Sequence, residues 1–174
     1  MAPLLEVRDL RAEVDGRRLP DALSLTLEAG EAARVAGHWS KVLLGHPSTR
    51  VVSGSIRFKG EDITSLPTHL RARRGMFLAF PHPPAIPGVT AAAFLRAALT
   101  ARGGGDVRAV KDFRKLLRER LLLLEMDEGF GARLLDGGFS ADENARFEAL
   151  QSSVFSPALA ILDAPALEEN HVRQ

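Results

Sequence analysis

The sequence predicts an α/β protein in which an N-terminal antiparallel β subdomain and an α/β core are joined to a helical subdomain. Polar and apolar residues alternate over ALSLTL (22–27), which is typical of a strand exposed on one face. MFLAF (76–80) is an uninterrupted apolar run, as expected for a buried parallel strand. Beyond residue 90 the apolar spacing becomes helical. Strands therefore dominate the first half of the chain and helices the second.

The N-terminal half is predicted to contain short strands separated by turns. Besides 22–27, the predicted strands are LLEVRDL (4–10), RAEV (11–14) turning at Asp15-Gly16, AARVAG (32–37) and SIRFKG (55–60). A short helix that ends near Leu44 lies between the last two strands. A further helix, opened by Thr64 or Ser65 with Pro67 in its first turn, precedes MFLAF.

Two helices are predicted after the proline-rich loop PHPPAIPG (81–88). Thr90 can cap AAAFLRAALTAR, which ends at Gly103, and Asp106 can cap the next helix. The second helix has one apolar face, formed by Val107, Val110, Phe113, Leu117, Leu121 and Leu124.

Several segments resemble, in order, the SufC-like ABC-type ATPases of the Suf iron–sulfur cluster assembly system. They are GHPSTRVVSGSIRFKGEDI (45–63), RARRGMFLAF (71–80), the following PHPPAIPGVT, GGFS (137–140) and LAILD (159–163). GHPS and IPGV favour this family over ABC ATPases in general. The resemblance implies a truncated ABC-ATPase (P-loop NTPase-like) fold with an incomplete core. Residues 1–80 and 154–174 would form the β subdomain and core, and 81–153 the inserted helical subdomain.

The resemblance places a phosphate loop after GEAARVAG (30–37), and that loop is missing. A P-loop needs glycines whose backbone N–H groups surround phosphates, a lysine and a hydroxyl for Mg²⁺. Here Gly37 is followed directly by HWSKVLLGHP (38–47), so about seven residues are absent, the lysine among them. Ser40 and Lys41 stand in reversed order inside the predicted helix, and we interpret Lys41 as an exposed helical lysine.

Three more positions of the resemblance have lost their chemistry. Pro81 replaces the coupling glutamine and offers neither a side-chain donor nor an N–H. The signature loop reads Ser140-Ala141-Asp142-Glu143, so alanine and a negative charge replace the glycines that approach a phosphate. Ser140 and Glu143 still form a capping box at a helix start. Ala164 replaces the catalytic glutamate after Asp163.

No catalytic residue, cofactor or metal site is therefore predicted, although the family uses ATP and Mg²⁺. The remnant positions are Gly37, Ser140 and Asp163. Asp163 is interpreted as a strand-end carboxylate without a metal, because a Mg²⁺ site of this type also needs substrate phosphates.

Family members continue beyond the position of Gln174. In them, the strand that carries the switch histidine lies between the phosphate-loop strand and the one that corresponds to LAILD. Without that strand, RVAG (34–37) pairs directly with LAILD (159–163), or another element fills the gap.

The composition gives no support for a protein that binds nucleic acid or inserts into a membrane. A net charge of +1 gives no reason to propose nucleic acid or an anionic membrane as a partner. The clusters Arg71-Arg73-Arg74 and Arg114-Lys115-Arg118-Arg120 are interpreted as solvated helix faces. The absence of cysteine fits a cytoplasmic protein. No apolar run approaches the ~18 residues of a membrane span, so we expect no direct membrane insertion.

In SufC-like proteins, the helical subdomain and the loop before it dock on the Suf scaffold subunits. The resemblance therefore gives as interface candidates Phe80, Pro84, Ile86, Pro87 and Phe94. Phe80 and Phe94 also fit a hydrophobic core. Ile86 and Pro87 lie in a loop and are the better candidates for contact.

Three hypotheses remain open. The chain is a non-hydrolysing SufC-like subunit that docks on Suf scaffold subunits, or an ABC-type ATPase subunit whose residual activity is completed in a dimer with an intact SufC paralogue. The third possibility is a decayed relative without function.

Overall fold

A computed structural model describes residues 2–33, 37–79, 85–103 and 112–162. The chain divides into two compact units, one formed by Met1–Leu78 with Ile161–Gln174 and the other by Ala79–Ala160. We refer to them as the sheet unit and the helical unit. The last helix of the helical unit runs from Ala141 to Phe155 and so crosses the limit at residue 153 that the sequence suggested.

The sheet unit contains a five-stranded antiparallel sheet of order β2-β1-β4-β5, with β3 also paired to β1. Its strands are β1 (Leu5–Val14), β2 (Arg17–Arg18), β3 (Leu23–Leu27), β4 (Thr49–Phe58) and β5 (Glu61–Asp62). The predicted turn at Asp15-Gly16 joins β1 to β2, and the predicted strand over 22–27 is confirmed as β3. The predicted strands 4–10 and 11–14 are one strand, because β1 continues through a bulge.

The bulge of β1 explains why the sequence suggested two strands. The register with β4 shifts between Arg8 and Arg11, and Asp9 has a φ of 42°. Gly54 lies opposite with a φ of 86°, and a Cβ there would be 2.4 Å from the carbonyl oxygens of Arg8 and Asp9. Only glycine fits so close an approach of two backbones.

Two predicted strands in the sheet unit were wrong in part. β4 begins at Thr49 rather than at residue 55, because the strand pairs with β1 as far as Val14. In the predicted strand 32–37, Ala32 and Ala33 lie outside any strand and Gly37 begins a helix, while residues 34–36 lie outside the described part.

The start of the second helix also differs. Helix α2 (Thr68–Arg73) begins after Pro67 with no side-chain cap. Thr64, which the sequence suggested as a cap, instead accepts a hydrogen bond at its hydroxyl from the Ile56 N–H at 2.8 Å.

Helix α1 (Gly37–Leu44) and the short strand β6 (Met76–Ala79) complete the first half of the chain. Strand β7 (Leu159–Leu162) pairs with β6 in a separate two-stranded sheet. Whether RVAG (34–37) also pairs with LAILD (159–163) lies outside the described residues. Side chains from the sheet and from α1 are buried in this unit, among them Leu5, Leu10, Ile56, Phe58, Trp39, Val42 and Leu43.

The helical unit is built from α3 (Ala91–Arg102), α4 (Phe113–Leu123), a 3₁₀ helix (Glu128–Ala132) and α5 (Ala141–Phe155). Thr90 caps α3 by accepting from the Ala93 N–H at 3.2 Å, which confirms the predicted cap. Phe113 and Leu121 of α4 are buried as predicted, while Asp106, Val107 and Val110 lie outside the described residues. The core of this unit consists of Ala91, Leu95, Phe113, Leu121, Met126, Phe130, Leu135, Phe147, Leu150 and Val154.

Candidate functional site

Helix α1 begins directly after the position that the sequence resemblance assigns to a phosphate loop. It begins at Gly37 and has no acidic residue in its first turn. Lys41 lies within this helix as predicted, but it is half-buried rather than exposed. Ser40 is only 2% exposed, so its hydroxyl faces the protein interior. Neither residue presents the open lysine and hydroxyl that a nucleotide phosphate needs.

The C-terminal end of α1 is closed by a Schellman motif. The Gly45 N–H donates to the Val42 carbonyl at 3.0 Å, and the His46 N–H donates to the Lys41 carbonyl at 3.0 Å. Gly45 has a φ of 70°, the left-handed conformation that this motif requires. The glycine of the family-like GHPS segment is therefore a helix C-terminal residue, a pattern that Gly45 followed by Pro47 could have indicated from sequence.

Arg71 binds the end of the same helix from inside the protein. Its Nη1 donates to the carbonyls of Val42 at 3.0 Å and Leu43 at 2.7 Å. Its Nε donates to the Leu66 carbonyl at 2.8 Å and its Nη2 to that of Thr64 at 2.9 Å. Arg71 is 2% exposed, so its interpretation as part of a solvated face was wrong. Burial lowers its pKa to about 10, which still leaves it protonated at neutral pH.

Arg71, which we call the arginine anchor, has room at this helix end because residue 45 is a glycine. A Cβ at position 45 would lie 2.8 Å from the Leu66 oxygen and 2.9 Å from Arg71 Nε. The Thr68 hydroxyl also donates to the Gly45 carbonyl at 2.7 Å, so α2 contributes a second bond to the same turn. Cationic donors are favourable at a helix C-terminus, where carbonyls lack partners.

The signature-loop position is the N-terminus of α5. The Glu143 N–H donates to the Ser140 hydroxyl at 3.2 Å, and the Ser140 N–H donates to the Glu143 carboxylate at 2.9 Å. The predicted capping box is thus confirmed. Arg133 also donates to Glu143 at 2.7 Å. The Ser140 N–H, followed by Arg133, holds the pKa of Glu143 below its ordinary value.

The first turn of α5, which the resemblance assigns to the signature loop, thus carries the chain's own carboxylates. Glu143 takes the Ser140 N–H, and Asp142 pairs with Arg146 at 2.9 Å. Two negative charges in the first turn satisfy the helix dipole and repel a polyanion.

The loop before α3 is hydrogen-bonded to residues 133–135 of the same helical unit. The Ile86 N–H donates to the Leu135 carbonyl, the Leu135 N–H donates to that of Val89 at 2.8 Å, and the Ala91 N–H donates to that of Arg133 at 2.9 Å. Ile86 and Phe94 are partly buried and pack against the core, and the Phe94 ring lies 5.9 Å from that of Phe147. Among the interface candidates with described positions, Pro87 is the exposed one.

The remaining predicted positions lie outside the described residues. They are Phe80 and Pro84 of the interface, Pro81 of the coupling strand, and Asp163 and Ala164 after β7. Within the described ranges, no cluster of three or more histidine, cysteine, aspartate or glutamate side chains is arranged to hold a metal ion. In the same part of the chain, no helix is both long and apolar enough to cross a membrane.

The fold is that of an ATP-binding cassette, as predicted. A nucleotide-free ATP-binding cassette from an ABC transporter superposes with a TM-score of 0.69 at 14% identity, over 92% of this chain and 68% of that one. The ATP-binding subunit of another ABC transporter gives a TM-score of 0.66 at 19% identity, over 91% and 65% of the two chains. No family model matches the sequence.

Curated relatives extend the assignment from fold to family. A probable ATP-dependent transporter of Synechocystis is 37% identical over 170 residues, which cover 92% of this chain and 66% of the relative. Vegetative protein 296 of Bacillus subtilis is 37% identical over 171 residues, with 93% and 65% covered. The chain belongs to the family of ABC transporter ATP-binding domains, and it spans about two thirds of the length of these relatives.

Proposed function

We propose that this chain is a degenerate SufC-like subunit of iron–sulfur cluster assembly, which does not hydrolyse ATP and acts by docking on Suf scaffold subunits in the cytoplasm. The observation that carries the proposal is the contrast between its two family-like regions. The loop IPGV (86–89) is retained and bonded to the core of the helical unit. The positions that contact phosphate in the family, by contrast, are missing or replaced. At the start of α5 the replacing residues form hydrogen bonds within the chain.

The absence of ATP binding is part of this proposal. No group at the start of α1 supplies the lysine and glycine-rich backbone that bind β- and γ-phosphates. We expect a calorimetric titration with MgATP to show no binding tighter than about 100 μM, which corresponds to roughly −5.5 kcal/mol. Tighter, Mg²⁺-dependent binding would contradict a non-hydrolysing role.

Docking is best tested at Leu134, an exposed residue beside the loop IPGV (86–89). Leu134 is 44% exposed and forms a β-bridge with Thr90, beside the segment that carries Pro87. We expect the native chain to co-purify with Suf scaffold subunits with or without ATP, and Leu134→Asp to reduce this recovery by placing a charge in an apolar contact. Val52→Asp is the matched control, because Val52 is 39% exposed and belongs to the sheet unit.

Ile86→Asp is less suitable for that test than the sequence suggested. Ile86 is partly buried against the core, so a charge there destabilises the helical unit whether or not a partner docks. A thermal melt of each variant separates the two effects. Loss of scaffold binding with an unchanged melting temperature supports docking. Failure of the native chain to bind any scaffold subunit contradicts it and favours a decayed relative.

A second candidate function is an ABC-type ATP-binding subunit that completes its site with an intact paralogue. The names of the relatives, a probable ATP-dependent transporter and a probable ABC transporter ATP-binding protein of Streptococcus pyogenes, favour it. Mixing the chain with an intact SufC paralogue distinguishes the two. ATP turnover above that of the paralogue alone supports the shared site, and unchanged turnover supports the docking subunit.

A further inference from the structure

One side of α4 is exposed and chemically divided. It consists of Arg114, Lys115, Arg118, Glu119, Leu122 and Leu123, which we call the outer face of α4. Leu122 is 78% exposed and Leu123 is 67% exposed, more than any other large hydrophobic side chain in the described residues. Phe113 and Leu121, on the opposite side, are buried in the core of the helical unit. The two adjacent leucines form an exposed apolar patch, the kind of surface that a partner can cover.

The outer face has an ordered pattern of charges. Residues four apart on a helix lie above one another, so Arg114, Arg118 and Leu122 form one row. Lys115, Glu119 and Leu123 form the next. Each row begins with a cation and ends with a leucine. The middle residue is positive in the first row, Arg118, and negative in the second, Glu119.

The ion pairs that these charged residues form within the chain are long and exposed to solvent. Lys115 and Glu119 are 4.0 Å apart, and Arg118 and Glu128 are 3.8 Å apart. All four side chains are more than half exposed, and exposed pairs at such distances contribute little to stability. The first turn of α4 also has no acidic residue, so its cations lie at the end where the helix dipole is already positive.

We propose that the outer face of α4 binds the same face of a second copy of this chain, with the two helices antiparallel around a two-fold axis between Arg118 and Glu119. In that arrangement Arg118 of each copy faces Glu119 of the other. Each leucine lies on the aliphatic stem of a cation, Leu122 on Lys115 and Leu123 on Arg114. The cations of each first turn then lie at the C-terminal end of the other helix, where the dipole is negative. The pattern is self-complementary, as a two-fold interface requires.

This proposal is independent of the proposed function. The mixed charges of the outer face favour a second copy of the chain over a membrane as its partner. An anionic lipid surface attracts Arg114, Lys115 and Arg118 but repels Glu119 and the exposed Glu125 beside the leucines. A second copy pairs both signs of charge. A single helix face covers less than the ~1,200 Å² typical of stable complexes, so the dimer is expected to be weak and concentration-dependent.

Charge reversal tests the arrangement in the full chain. We expect sedimentation velocity to show a monomer–dimer equilibrium, which Arg118→Glu weakens about tenfold because two like-charged pairs then meet at the axis. The double variant Arg118→Glu with Glu119→Arg restores both pairs and should recover the native equilibrium. Arg11→Glu is the matched control, because it makes the same change of net charge at an exposed residue of the sheet unit. Far-UV circular dichroism confirms that each variant is folded.

Cysteine pairing tests the register, since the chain has no cysteine of its own. Leu122→Cys and Lys115→Cys face each other across the proposed interface. Two Leu122→Cys copies place their cysteines about 10 Å apart along the helices, beyond the reach of a disulfide. Under a mild oxidant, a mixture of the two variants should form a mixed disulfide dimer, and each variant alone should not.

Three outcomes would overturn the proposal. One is a monomer at every concentration. Another is a dimer that Arg118→Glu leaves unchanged, which would locate self-association elsewhere, for example at β3. The third is binding to phosphatidylserine vesicles without self-association, lost in Arg118→Glu, which would assign the outer face to a membrane.

Discussion

Helices α1 and α5 begin at the two positions that the sequence resemblance assigns to phosphate contact, and the chain secures the two helices at opposite ends. Helix α5 is secured at its N-terminus by Ser140 and Glu143, which are three residues apart. Helix α1 is secured at its C-terminus by Arg71, which is 29 residues from Val42. In each case a protein group provides the helix end with a hydrogen-bond partner, but only in α5 is that end the N-terminus, where an anion would otherwise be favourable.

The comparison predicts that α1 depends on one distant side chain. Arg71→Met removes four hydrogen bonds and leaves buried carbonyls without donors. We expect the free energy of unfolding to fall by at least about 3 kcal/mol. Fluorescence of Trp39, the single tryptophan and a residue of α1, follows the transition in urea. Arg11→Met, at an exposed position, should change stability by less than about 0.5 kcal/mol. Equal effects of the two variants would show that the buried bonds are not needed.

A smaller effect is expected where the glycine makes room for that arginine. Gly45→Ala introduces a Cβ in the left-handed conformation and against the Leu66 carbonyl, and it should cost about 1–3 kcal/mol. Gly16→Ala is the control, since Gly16 has a φ of 76° and open space around it. Urea unfolding of both variants gives the contribution of the anchor as their difference. Identical losses would mean that only backbone strain matters.

The cap of α5 should be worth less, because it is local and exposed to solvent. Ser140→Ala removes the acceptor of the Glu143 N–H and should reduce stability by about 1 kcal/mol. The change is best followed by thermal unfolding monitored by circular dichroism. Ser140→Thr keeps a hydroxyl acceptor and should retain most of the native stability. If Ser140→Thr is as unstable as Ser140→Ala, the capping bond does not explain the effect.

The smallest effect concerns pH. The pKa of Glu143 is lowered in the folded protein by the Ser140 N–H and by Arg133. Its carboxylate therefore stabilises the fold above the ordinary glutamate pKa of about 4.3, and this contribution is lost as the pH falls through the lower folded value. Melting temperatures measured from neutral to acid pH should decline less steeply in Glu143→Gln than in the native chain. Parallel profiles would exclude Glu143 as a contributor to acid sensitivity.

The two helices also show which parts of the structure were accessible from sequence. The caps at Thr90 and Ser140 were predicted because the donors and acceptors lie within three residues of one another. Arg71 was misjudged because its acceptors come from α1 and from the turn before α2, and a basic cluster in a helical pattern usually faces water. The first half of β4 was missed for another reason. Thr49, Val51 and Val52 favour a strand, but Gly54 interrupts the segment, and the strand continues through Gly54 because β1 pairs on both sides of it.

The buried arginine also has a consequence for the order in which the chain folds. Helix α1 has eight residues, too few to be stable alone in water. The group that closes its end belongs to α2, so a loop from Val42 to Arg71 must form before α1 is secured. During synthesis the segment of α1 leaves the ribosome well before its anchor does. We expect it to become helical only once residue 71 has emerged, so that nascent chains ending before α2 show Trp39 still accessible to solvent.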